Sequence, residues 1–66
     1  MNLDRLTIMA DGTHVGYCRT QTGLTRHLNR AVLHGGRIRI SDQHGKVIDK
    51  VAAKNRMFRN RIKMLF

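Results

Sequence analysis

The side chains with most chemistry to offer are cations. Nine arginines and four lysines stand against four aspartates and no glutamate, a formal charge of +9 over 66 residues. A guanidinium group bonds phosphate and guanine edges in a bidentate fork and stacks on flat rings. An excess of this kind predicts an anionic partner better than it predicts a fold.

The cations cluster. Lys54, Arg56, Arg59, Arg61 and Lys63 fall in one stretch without an acid. Five like charges so close repel one another unless an anion neutralises them. Arg26 and Arg30, with His27 and His34, form a second group, expected on the outward face of a helix. Arg37 and Arg39 lie between the two groups and extend the surface. The plain alternative is a set of solvated helix faces, but a face built for solubility mixes signs and gains i,i+4 pairs.

Nucleic acid is the partner this pattern favours. Aromatic residues are scarce, only Tyr17, Phe58 and Phe66, and Tyr17 is expected to pack with Val15 on its strand. Single-strand binders use stacking platforms, so duplex DNA or structured RNA is the expected target. Six phosphate contacts on duplex DNA would give log K a slope of about −5 against log salt.

Enzymatic equipment is missing from the reading. His27 and His34 would lie about 10.5 Å apart along a helix, and His14 and Cys18 about 13 Å apart along a strand. Neither pair can share a metal ion or form a nucleophile–base dyad, and no Cys-x-x-Cys or His-Glu-x-x-His occurs. Gly45-Lys46 lacks the flanking residues of a phosphate loop. Asp11 and Asp42 fall in expected turns, and no carboxylate dyad is visible. The expectation is a non-enzyme with no metal and no cofactor.

The elements that must position these groups can be read from pattern. Leu3 to Met9 alternates as a strand with Leu6 and Ile8 inward. Asp11-Gly12 predicts a tight hairpin turn. Thr13 to Arg19 returns, with Val15 and Tyr17 on one face and His14, Gly16 and Cys18 on the other. Thr22 is the expected cap of a helix over Leu24 to His34, packed through Leu24, Leu28, Ala31 and Val32 and ended by Gly35-Gly36. Arg37 to Ser41 and Lys46 to Val51 make a second hairpin around Asp42–Gly45. Ala52 to Phe66 makes a second helix whose core-facing arc is Val51, Phe58, Ile62, Leu65 and Phe66. Gly12 and Gly45 are 33 residues apart, whereas Leu24, Leu28 and Ala31 correspond to Phe58, Ile62 and Leu65 at a spacing of 34. That faint repeat supports a ββαββα order.

The expected fold is a single small α+β domain over residues 1–66, a four-stranded antiparallel sheet with two helices packed on one face. A chain this size buries only about 60% of its unfolded surface. The marginal core, together with a spare apolar strip at Met57 and Met64, suggests homodimer contacts there. One cysteine, Cys18, permits no internal disulfide and suits a reducing cytoplasm. No apolar run approaches a membrane span, and no signal-peptide pattern opens the chain.

The functional expectation is a small basic nucleic-acid-binding regulator of the sort phages and mobile elements make. Arg26, Arg30, Arg37, Arg39, Lys54, Arg56, Arg59, Arg61 and Lys63 are its contact residues. The alternative is an inhibitor or modulator whose basic, amphipathic second helix docks in an acidic groove of a larger enzyme or polymerase. A membrane surface is the least favoured partner.

Overall fold

A computed structural model describes residues 3–65 of the chain. The elements are β1 (Leu6–Ala10), β2 (Thr13–Cys18), α1 (Gln21–Leu33), β3 (Ile38–Ser41), β4 (Val47–Ile48) and α2 (Lys50–Leu65). The strands form one antiparallel sheet in the spatial order β2-β1-β3-β4. Both helices pack on the same face of it, as the sequence pattern predicts. Phe66, expected at the end of the second helix, lies outside the described residues.

Local chemistry sets the boundaries. Asp11 and Gly12 take φ of 51° and 77°, the positive values a type I′ turn needs. Thr20, not Thr22, caps α1: its hydroxyl accepts the Gly23 N–H at 3.0 Å, so the helix begins at Gln21 rather than Leu24. β4 is two residues long instead of running from Lys46 to Val51. Asp49 leaves the strand to accept the Ala52 N–H at 2.8 Å, and α2 therefore starts at Lys50 instead of Ala52. β1 covers Leu6–Ala10 rather than Leu3 to Met9, β2 stops at Cys18, and β3 starts at Ile38.

β1 is flanked by β2 and β3, and its inward residues Leu6, Ile8 and Ala10 are buried. Cys18, Ile40, Leu24, Ala31, Ala53 and Met57 close the core over them. Each large apolar side chain buried there contributes about 1.5–3 kcal/mol relative to exposure.

The second helix is turned about its axis from the expected orientation. Its buried residues are Ala53, Met57 and Asn60. Val51, Phe58, Ile62 and Leu65, expected in the core, are exposed, Leu65 by 75%. Met57, expected in a spare strip, is 0% exposed and cannot be an oligomer contact, whereas Met64 is exposed. Polar anchors rather than apolar count fix the rotation. Asn60 is bonded to the main chain of Asp4 and Arg19, and Arg56 to Asp42. On a 3.6-residue wheel both anchors lie within about 100° of Met57, while Phe58 lies about 160° from Asn60. At a spacing of 33 buried Leu24 answers to buried Met57 and inward His27 to Asn60, but buried Ala31 falls on exposed Met64 and inward Leu6 on outward Arg39, so the repeat does not extend along the chain.

Two other facings differ from expectation. His27 is not on the outward basic face of α1. Three residues from Leu24 and four from Ala31, it turns inward, and a Cβ built on Gly16 would sit 2.5 Å from its ring. Val32, expected in the core, is exposed. In β2 the pairing slips between Ile8 and Met9, so that Gly16 faces Ile8 and His14 faces Met9, leaving Val15 as a bulge. Val15 packs against the core while Tyr17 is 53% exposed, so the expected Val15–Tyr17 pairing does not form.

Candidate nucleic-acid interface

The four aspartates are occupied by the fold. Asp4 accepts from Gln43 Nε2 at 3.0 Å, Asp11 from the Arg37 N–H at 2.9 Å, and Asp49 from the Ala52 N–H. Asp42 is buried in the β3–β4 turn. Its Oδ1 accepts the His44 and Lys46 N–H groups, both at 2.9 Å, and its Oδ2 accepts Arg56 Nη1 at 3.0 Å. Burial pushes the Asp42 carboxyl up. The two backbone donors and the Arg56 guanidinium outweigh that and hold it below the ordinary carboxylate range. Arg56 is thus committed to a turn and is only partly exposed.

The other cations expected at the site fall in three places. Arg26 and Arg30 are exposed on the side of α1 turned away from the sheet. Lys54, Arg59, Arg61 and Lys63 are exposed on α2, beside the outward row of Phe58, Ile62 and Leu65, and Lys63 has a partner within the chain. Arg37 and Arg39 belong to the opposite side of the molecule. Ile38 and Ile40 point toward the helices, so Arg39 between them points from the uncovered face of the sheet. The nine predicted residues therefore do not form one continuous surface.

The uncovered face is the more organised of these regions. Register places Tyr17 beside Thr7, Thr7 beside Ser41, and Ser41 beside Val47. It likewise places His14 beside Met9, and Met9 beside Arg39. The bulge at Val15 brings His14 and Tyr17 onto this face together; without it, residues three apart would point to opposite faces. The two rings lie 4.5 Å apart, tilted by 57°. The Arg5 guanidinium sits 4.8 Å from the Tyr17 ring centroid, a cation–π contact. None of the outward strand positions carries an acid, and Arg5, Arg37 and Arg39 are in no ion pair among the described residues. A cleft of about 480 Å³ at the β4 side is lined by Arg37, Arg39 and Lys50 and also by the turn and loop carboxylates Asp11 and Asp49.

The sequence pattern did not bring Arg5, Tyr17 and His14 together. Simple alternation separates His14 from Tyr17, and a bulge at Val15 has no residue signature here. The available signal was the outward position of Arg5, since Arg5 and Thr7 already alternate with Leu6 and Ile8.

Among the described residues no group of three or more His, Cys, Asp or Glu side chains is placed to hold a metal ion. No helix among them is long and apolar enough to cross a membrane. Comparison with protein-family models, with curated proteins and with solved structures gives no match in any of the three.

Proposed function

We propose that this chain is a nucleic-acid-binding protein without catalytic activity, and that the open sheet face is its principal contact surface. The observation that carries the reading is the composition of that face. Arg5 lies against Tyr17, and Arg39 and Arg37 lie two strands away from His14, on a surface that neither helix covers and on which no strand residue is acidic. Phosphate neutralises the guanidinium groups, and the hydroxyls of Thr7 and Ser41 between them offer donors and acceptors. Arg26 and Arg30 on α1 provide a weaker, sequence-independent attraction from the other side. Asp11, Asp42 and Asp49 hold turns and a helix start, and Asp4 accepts from Gln43, so no two carboxylates are paired as an acid–base dyad among the described residues. The buried thiol of Cys18, raised by burial, suits a structural role in a reducing cytoplasm.

Fluorescence anisotropy of labelled oligonucleotides over a salt series tests this reading. Binding should weaken steadily with salt, and an Arg37→Ala/Arg39→Ala double variant should reduce the slope by about 1.5, at 0.7–0.9 per lost phosphate contact. Salt-independent binding, or loss confined to Arg26→Ala/Arg30→Ala, would sink the assignment to the sheet.

A second reading has one specific observation in its favour. Phe58, Ile62 and Leu65 occupy i, i+4 and i+7 on the outward side of α2, flanked by Lys54, Arg59 and Arg61, and α2 contains no acid. Such anchors fit an apolar groove with an acidic rim on another protein. A second copy of this chain fits worse, because its α2 would bring cations against cations. A stoichiometric protein partner that survives nuclease treatment and is lost on Phe58→Ser/Ile62→Ser/Leu65→Ser would favour this alternative.

A further inference from the structure

We infer that the open sheet face is a stacking platform for an unpaired base, so that the nucleic acid it takes is single-stranded. The inference rests on the nucleic-acid reading and names the substrate class of the same site. The expectation of a duplex target depended on Tyr17 packing against Val15. The bulge instead sends Val15 into the core and leaves the Tyr17 ring 53% exposed in the open face.

The surroundings of that ring are what a base requires. A base has apolar faces and polar edges, and only an unpaired nucleotide can turn both toward a protein surface. Tyr17 supplies a π-face. Arg5 lies over that ring at 4.8 Å, and a guanidinium plane can shift to sandwich a base against it. His14 braces the ring at 4.5 Å. Thr7, directly across from Tyr17, and Ser41, directly across from Thr7, place two hydroxyls where a stacked base would present its edge. Arg39 lies two strands from His14, about 10 Å at the usual strand spacing, with Arg37 beyond it. Stacking groups therefore occupy one side of the face and phosphate-binding groups the other, one or two nucleotides apart. The open face of the sheet carries no helix to enter a duplex groove.

The protein offers its own reporter. Tyr17 is its one tyrosine, and there is no tryptophan. Intrinsic tyrosine emission of the full wild-type chain, titrated with a mixed-sequence 12-nucleotide single strand, should be quenched as a base stacks on the ring. Anisotropy with the same strand labelled should show affinity at least about 10-fold above that for its duplex. Tyr17→Ala should weaken single-strand binding about 5- to 150-fold, the loss of one stacked base, while Tyr17→Phe stays within about 2-fold. Single-strand binding with unchanged tyrosine emission, or a Tyr17→Ala variant that binds as wild type, overturns the inference and leaves the nucleic-acid reading standing. Failure of the wild type to bind either strand or duplex overturns both.

Discussion

The carboxamide of Asn60 holds the main chain of Asp4 at both of its polar atoms. Oδ1 accepts the Asp4 N–H at 2.8 Å, and Nδ2 donates to the Asp4 carbonyl at 2.6 Å. The same Nδ2 donates to the Arg19 carbonyl at 3.0 Å. One fully buried amide on α2 thus ties down the segment before β1 and the exit of β2.

Asn60→Ala leaves three main-chain groups without their partner in a buried setting, and it should cost about 3 kcal/mol. Asn60→Asp should be at least as damaging, because a carboxylate cannot donate to two carbonyls. Urea denaturation of the two variants against wild type measures both.

The rotation of α2 has an opposite-direction signature in neighbouring residues. Met57→Ala opens a core cavity and should destabilise by about 2–5 kcal/mol. Phe58→Ala, one residue away and larger in volume lost, should change stability by less than about 1 kcal/mol because the ring is half in water. Had the apolar arc been the core, the order would reverse. Paired denaturant titrations decide it.

Acid should weaken the β3–β4 turn. Asp42 has its carboxyl lowered in the fold, so the unfolded chain binds that proton more readily. The stabilisation is complete above the ordinary carboxylate value, about 3.9, and is lost as pH falls through the lower folded one. Melting temperature recorded from pH 6 to pH 2 should drop more steeply for wild type than for Asp42→Asn. Arg56→Ala should weaken the same dependence in part, since the His44 and Lys46 N–H groups remain.

Gly16 and His27 should be coupled. A methyl group at 16 would meet the imidazole at 2.5 Å, so Gly16→Ala must displace a half-buried ring, at about 1–3 kcal/mol. In a His27→Ala background the three closest atoms are gone and the same substitution should cost far less. A double-mutant cycle by denaturation reads the coupling energy directly.

The fold was legible where local chemistry and periodicity agree. Asp11-Gly12 demands a hairpin, Gly35 ends a helix, and Leu6/Ile8 and Ile38/Ile40 alternate inward as written. It was least legible where a polar side chain outranks apolar ones. Nothing in the local pattern marks Asn60 as a core residue, because its partners, Asp4 and Arg19, lie 56 and 41 residues away. Without that anchor, counting apolar residues turns α2 the wrong way and mistakes Met57 for surface. Of the candidate site, Arg37 and Arg39 were legible as exposed cations. Their grouping with Arg5, Tyr17 and His14 depends on the extra residue at Val15, which changes faces without changing composition.

β4 pairs with only Ile40 and Ser41, which leaves the first half of β3 as an open sheet margin. Bare margins of this kind invite a foreign strand and seed fibres. Here Arg37, Arg39 and Lys50 outnumber Asp11 and Asp49 around the gap and act as gatekeepers, since an approaching copy carries the same net positive charge. Their protection fades as the Debye length shrinks, about 10 Å at 0.1 M salt and 3 Å at 1 M. Concentrated stocks should therefore stay clear at low ionic strength and grow turbid as salt rises, the reverse of ordinary salting-in.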